Sequence, residues 1–354
     1  MDNSIQQRLI EAARLAPSAD NSQPWQYDWE NDALNLWIDA QRSGGTSDAR
    51  YILSDLAIGA CIENIAIQAK SLGFNTQTDY LPDEQNIPLW AAKLSFSPSG
   101  PDDETLALAI PQRHTDRTFP WNGPISPATR QTICAATEQF PETNIMWLDG
   151  TPLYKTALKA MWKAESLRFK SQRLHQELFS SIRFDIGYKA ACEEGLAPAT
   201  LAIEPPLKPA FKALRHWGFM RTLNFLGVNH LIGFRSAVLP NLLSPGLCLL
   251  SLSKTDRPAI IKAGRALERI WLTANTQGLA VQPFAAAGVL SLGFSQLEQR
   301  HAHIPQKIAS AMQKLDNNHY GLIFIRMGRA KQGIQPSSGR RKISSLRHIA
   351  PATE

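Results

Sequence analysis

The apolar positions of this chain change period along its length, and the changes mark its elements. Ile5 to Leu15 carries Leu9, Ala12 and Ala13 at helical spacing, with Ala16 continuing the pattern, and Pro17 stops the helix. Two short runs, Gln26 to Trp29 and Leu34 to Asp39, flank the turn-forming pair Asn31-Asp32 and predict two strands. A polar loop, Ser43 to Asp48, leads into a helix over about Ala49 to Leu72. Its Ile58, Ile62, Ile65, Ala66 and Ala69 make an apolar face so wide that the helix must be central. Gly73 is its natural stop. Strands at Phe74 to Tyr80 and Ala92 to Phe96 follow, and a Pro/Asp-rich link, Ser97 to Glu104, closes this first part.

Past the link come Leu106 to Pro111, a helix at Pro127 to Glu138 and a strand at Asn144 to Leu148. Residues 151–244 then fit no regular alternation of strand and helix. They read as helices around Tyr154 to Leu178, a loop through Gly195 to Pro209, and a helical stretch near Ala210 to Leu226. Order resumes with a buried strand at Leu247 to Ser253, a helix at Pro258 to Gln277, a helix at Pro305 to Leu315 and a strand at Gly321 to Met327. The two long helices share a register. Gly264, Glu268, Ile270, Ala274 and Gly278 lie 205 residues beyond Gly59, Glu63, Ile65, Ala69 and Gly73. The pattern predicts an α+β sheet-and-helix sandwich of two related halves, 1–100 and 101–354, the second interrupted by a helical insertion at about 151–244.

Composition narrows the class. With 354 residues, 44% hydrophobic and 19% charged, the chain is of globular type and long enough for a full core. Its net charge of +6 includes a C-terminal group, Arg326, Arg329, Lys331, Arg340, Arg341, Lys342 and Arg347, which suits an anionic ligand or a solvated tail. Nucleic acid is the weaker reading, since no basic-aromatic interleaving accompanies that charge. Cys61, Cys134, Cys192 and Cys248 have no metal-ligand spacing and read as buried thiols. No secretory signal is evident in the first residues, and the most apolar window, Ala237 to Ser253, is broken by Pro240, Pro245 and Gly246. The expectation is a cytoplasmic protein with no metal, nucleic-acid or membrane partner.

Candidate chemistry concentrates in Ala16-Pro17-Ser18-Ala19-Asp20-Asn21-Ser22-Gln23-Pro24-Trp25. Two prolines stiffen this loop, Trp25 anchors it, and its amides and hydroxyls suit the edge of a flat heterocycle. An ordinary helix-to-strand connection is the plainer alternative. The pattern Ala-Pro-Ser-x-x-Asn-x-Gln-Pro-Trp resembles the loop by which the nitroreductase superfamily holds the ring of FMN. That resemblance implies ring contacts from Pro17, Ser18, Asn21 and Gln23. Further on, Arg113-His114-Thr115-Asp116-Arg117 puts two arginines, a His and a Thr in a turn also carrying Pro111 and Pro120, able to converge donors on a phosphate. It resembles the family's Arg-x-Ser/Thr-x-Arg/Lys element, which implicates Arg113, His114, Thr115 and Arg117.

The resemblance extends to Leu279–Gly288, similar to the family's strand and turn whose backbone N–H groups face the flavin; Pro283, Phe284, Ala285 and Ala286 fall there. Many relatives carry an acidic residue and a glycine where this chain has Ala285 and Ala286. Either Arg340 or Arg341 falls where relatives bring a last basic group to the phosphate. Relatives are usually homodimers with FMN at the interface, so a ring loop in the first half and basic residues in the second imply an intramolecular pseudo-dimer of the internally duplicated, Acg-like kind. Such a chain would hold one FMN and could act as a monomer.

The implied activity is hydride transfer from NADPH or NADH, through flavin N5, to a small molecule such as a nitroaromatic or quinone, with no side chain assigned as catalytic. Two alternatives stay open. The insertion closes over the flavin and the protein sequesters it, or a basic residue there serves a dedicated dehydrogenase of a metabolite or peptide ring. Lys163, Lys170, His175 and Tyr188 are available for that role, though each also reads as a solvated helix residue.

Overall fold

The computed structural model describes residues 1–100, 103–188, 191–330 and 337–349. Helix α1 (Asn3–Arg14) buries Leu9, Ile10, Ala12 and Ala13. It leads through the ten-residue loop to β1 (Trp25–Glu30) and β2 (Ala33–Ile38). Their hairpin turns on Asn31 and Asp32, both in the left-handed region at φ 47° and 63°, the conformation that a tight two-residue turn requires. Helix α2 (Ile52–Ser71), β3 (Phe74–Tyr80) and β4 (Trp90–Pro98) complete an antiparallel sheet in the order β1-β2-β4-β3.

Helices α3 (Thr105–Ala109) and α4 (Pro127–Ala135) and strand β5 (Thr143–Trp147) open the second part. The insertion comprises α5 (Tyr154–Lys170), α6 (Gln172–Ser181), α7 (Lys208–Ala213), α8 (Trp217–Asn224), α9 (Val228–Gly233), a π-helical turn at Phe234–Val238 and α10 (Leu239–Leu242). Its helices lie on both sides of a stretch, 182–207, whose described residues form only short 3-10 turns and loops; the expected loop over Gly195–Pro209 falls there, except that α7 already begins at Lys208. Then follow β6 (Gly246–Leu252), α11 (Arg257–Thr276), β7 (Ala280–Phe284), α12 (Ala286–Ser291), α13 (His303–Leu315) and β8 (Tyr320–Gly328). The Asp256 side chain accepts from the Ala259 N–H and Pro258 fills the first turn, which fixes where α11 begins.

The second sheet is antiparallel in the order β5-β6-β8-β7, so both sheets run first, second, fourth, third in chain order. In each, a long helix follows the second strand. Helices α2 and α11 pack on each other at the centre, and they touch through their glycines. A Cβ on Gly59 would overlap the carbonyl oxygen of Ile261, and a Cβ on Gly264 would overlap that of Leu56. Both the glycines and those carbonyls are related by the same 205-residue offset. Beside the crossing, fully buried Glu63 on α2 takes Arg265 at 2.9 Å and Arg269 at 2.5 Å, and fully buried Asp55 takes Arg257 at 3.0 Å.

Two expectations need correction. Arg326 belongs to no solvated tail: it sits in the middle of β8, fully buried. His175 is likewise buried against Phe179 and Trp217, with its Nε2 2.8 Å from the Leu214 carbonyl, whereas Lys163 and Lys170 are exposed. The C-terminal segment does not trail away either. The His348 N–H donates to the Tyr27 carbonyl at 2.8 Å, and the imidazole stacks on Trp37 at 4.2 Å. Lys331 and Pro336 lie outside the described residues. Among these residues one helix, α2, is long and apolar enough to cross a membrane, yet 83% of its apolar window is buried in the core.

The helix crossing leaves no room for a methyl group. Gly264→Ala is expected to lower stability by about 1–3 kcal/mol, read as a lower urea midpoint. An exposed helical control such as Ala213→Gly, on α7, should cost no more than about 1 kcal/mol.

Candidate functional site

The loop after α1 is held in an unusual shape. Asp20, Asn21 and Gln23 all have positive φ, at 51°, 56° and 50°, a costly conformation for residues with a Cβ. Local bonds fix it. The Ser18 hydroxyl accepts from the Gln23 N–H at 2.9 Å, and Trp25 is buried in the first core. The long-range bonds are more telling, because they join three distant pieces of chain. Gln23 Nε2 donates to the Glu193 carbonyl at 2.7 Å, while its Oε1 accepts from the Arg341 N–H at 2.9 Å. Asn21 Nδ2 donates to the carbonyls of Gly195 and Gly339, and the Asn21 carbonyl accepts from the Gly195 N–H.

Arginines gather beside this loop. Pro17, Ser18, Asn21, Arg113, His114, Thr115, Arg117 and Arg340 wall one cleft, together with Asp20, Ser337 and Ser338, and with Leu196 and Thr200 from the insertion. Arg113 is buried; its Nη2 donates to the Leu15 carbonyl at 3.0 Å, and its guanidinium lies 4.5 Å over the Trp271 ring. Arg117 donates to the Thr200 carbonyl at 3.2 Å. Arg340 bridges the two sides, reaching the Ala16 carbonyl at 3.2 Å and Asn21 Oδ1 at 3.0 Å. Burial pushes down the pKa of all three, and Arg340, also repelled by Arg113, falls to about 9.

Behind the cleft stands Glu268 of α11, fully buried and 3.1 Å from Arg113 Nε. Burial raises its carboxyl to about 7, a rise that Arg113 only partly offsets. Glu268 is the counterpart, 205 residues on, of Glu63. One buried carboxylate thus joins α2 to α11, while the other supports the basic cluster.

Several sequence-predicted residues lie outside the cleft wall. Gln23 is fully buried and knots the loop to the insertion and the C-terminal segment. Arg341 turns away toward Glu194 at 3.5 Å and Asp39 at 3.9 Å, so of the two C-terminal arginines Arg340 is the one at the cleft. Pro283 and Phe284 end β7, Phe284 pointing into the core that α5 and α13 share; Ala285 precedes α12 and Ala286 begins it. The main chain does bring β7 near: the Asp116 N–H donates to the Val281 carbonyl, and Thr115 pairs with Val281.

Three supporting residues, Asp116, Arg326 and Glu268, were given no role in the site by the sequence. Buried Asp116 caps its own turn, accepting from the Thr118 N–H at 2.8 Å. Arg326 braces the same turn through the Thr118 carbonyl at 2.8 Å, its guanidinium 3.6 Å over Trp121. A charged residue inside the apolar run Ile323–Met327 was the available signal for Arg326. For Glu268 the signal was its place in the repeated helix register.

No family model matches the chain. It is 29% identical over 178 residues to the Acg protein of Mycobacterium tuberculosis, 48% of this chain and 51% of that one. It is 27% identical over 296 residues, 79% of each chain, to PigM of Serratia sp.; the names of both call them NAD(P)H nitroreductases. The chain is thus similar in sequence to proteins named as nitroreductases. A nitroreductase crystal structure from Anabaena variabilis aligns with 94% of the chain at 11% identity and a TM-score of 0.45. The matched part of the chain spans 41% of a longer uncharacterized M. tuberculosis protein and about half of Acg.

The buried carboxyl gives a measurable pH signature. Its folded pKa, about 7, lies above the unfolded value of 4.5, so its favourable contribution is complete below 4.5 and is lost as pH rises through 7. Urea unfolding of Glu268→Gln is expected to show a smaller loss of stability between those two pH values than the parent protein shows.

Proposed function

We propose that this chain is an FMN-binding oxidoreductase that passes hydride from NADPH or NADH to a small acceptor of the nitroaromatic or quinone type, at one site per chain. The observation that carries the reading is the convergence of Arg113, Arg117 and Arg340 on one cleft beside the Pro17–Trp25 loop. Three guanidinia disfavoured by burial face a space whose wall includes a single carboxylate, Asp20, so a phosphate group fits there. Ser18 and Thr115 add hydroxyl donors. Bound FMN would supply the hydride chemistry, which the protein's own groups lack. The residues present would hold the phosphate, orient the ring against the loop and, through Leu196 and Thr200, limit the entry of water. The matching strand orders and the reciprocal glycine contact support a gene duplication, the first half supplying the loop and the second the arginines.

A second reading is favoured by one specific feature. Segment 193–195 of the insertion lies on the loop and takes up the Asn21 and Gln23 amides expected to meet the ring edge. Ring-edge contacts from those amides therefore need this segment to move. If it returns over a bound ring, nicotinamide has no platform and the protein holds FMN with little turnover.

Two measurements test these readings. Arg117→Ala is expected to weaken FMN by about 10- to 100-fold, the worth of a charge-assisted contact, while leaving riboflavin binding, which lacks the phosphate, nearly unchanged. Equal loss for both ligands would place the phosphate elsewhere. Anaerobic addition of NADPH or NADH to the FMN-loaded protein should bleach the flavin band, and a quinone or nitroarene should restore it. Bleaching by dithionite but by neither nicotinamide would select the sequestering reading, and failure to bind FMN at all would overturn both.

A further inference from the structure

The protein's positive charge is concentrated in the insertion. Residues 151–244 carry thirteen Lys and Arg against six Asp and Glu, a net +7, whereas the rest of the chain carries 24 against 25, a net −1. No acidic residue occurs between Glu204 and Asp256. Lys212 on α7, Arg215 in the turn after it and Arg221 on α8 are exposed, as are Lys155, Lys159 and Lys163 on α5. Among the described residues none of these six pairs with a carboxylate.

The same region exposes its largest apolar side chains. Helices α8 and α9 meet at a turn, Phe225-Leu226-Gly227, with Phe225 87% and Leu226 80% exposed, and Leu231 on α9 is 67% exposed. These are not residues left over from a frayed element. The other face of the helix pair is well packed: Met220 is fully buried, and Trp217, Val228 and Ile232 join it on the aromatic cluster of Phe169 and Phe179. Trp162 of α5 stands at the margin, its indole N–H donating to the His230 carbonyl at 2.7 Å and its ring edge-on to Phe234. A packed base thus presents Phe and Leu at its tip and an indole at its margin, with exposed lysines and arginines on the same helices and on α5.

We propose that the α7–α9 tip of the insertion docks on an anionic lipid bilayer, with Phe225, Leu226 and Leu231 entering the headgroup region and the surrounding Lys and Arg facing lipid phosphates. Exposed apolar side chains on a basic segment without acidic residues match what such an interface offers, a hydrocarbon boundary beneath negative charge. An indole at the rim suits the same zone. A second copy of this chain fits worse, since pairing two tips would bring two +7 regions together. The surface is separate from the arginine cleft and its argument does not depend on what that cleft binds. It runs against the expectation that the protein has no membrane partner, and the experiment below decides between them.

Flotation of the full chain with vesicles tests the proposal. Vesicles containing phosphatidylglycerol should carry the protein and those of phosphatidylcholine alone should not, with release as salt rises. The double variant Phe225→Ser/Leu226→Ser, and separately the triple variant Lys212→Glu/Arg215→Glu/Arg221→Glu, should each weaken binding by at least about tenfold. Circular dichroism should match the parent, since all five side chains are exposed. Failure to float at low salt, equal flotation with both vesicle types, or binding unchanged in both variants would overturn the proposal. So would a concentration-dependent dimer in sedimentation that Phe225→Ser/Leu226→Ser disperses, which would assign the patch to a second copy.

Discussion

Everything in this molecule is placed by one close contact, the crossing of α2 and α11 through Gly59 and Gly264. Two helix backbones lie together only where neither carries a Cβ, and the buried ion pairs of Glu63 and Asp55 then fix the rotation about that point. Each sheet is anchored to its own helix. The relation between the two sheets, and with it the meeting of the Pro17–Trp25 loop with Arg113 and Arg117, follows from how those two helices sit.

The cleft is built from opposing demands. Holding three guanidinia near one another, Arg113 buried and Arg117 and Arg340 half-buried, is unfavourable, and the protein tempers it with Glu268, the Trp271 face and a set of loop carbonyls rather than with a carboxylate for each. Arrangements of this kind keep positive charge available to a ligand while holding it in a fixed geometry. The left-handed residues of the loop share that logic, since their conformation is maintained by the insertion and by the C-terminal segment.

Regular elements were legible from the sequence because their signals are local. Strand β3 and the long helices follow from periodicity, and the shared 205-residue register already marks Gly59 and Gly264. Arg113, Arg117 and Arg340 were within reach because a motif or a charged turn marks each of them. What escaped depends on distance in the chain. Nothing near Gln23 says that its amide will clasp Glu193 and Arg341, nothing near His175 announces Leu214 and Trp217, and Arg326 reads as tail charge until β8 is seen to run through the core. The insertion's charge was hidden differently: thirteen cations spread over many turns draw less notice than seven near the terminus.

The two hairpins hold a last lesson. Between its first and second strands the first sheet has only Asn31 and Asp32, while the second sheet has at the same topological step all the helices from α5 to α10. A dimer of identical subunits must write every change twice, so a large appendage on one side appears on the other. A single chain with two sheets of the same order is free of that rule: one corner can stay a bare turn while its counterpart grows.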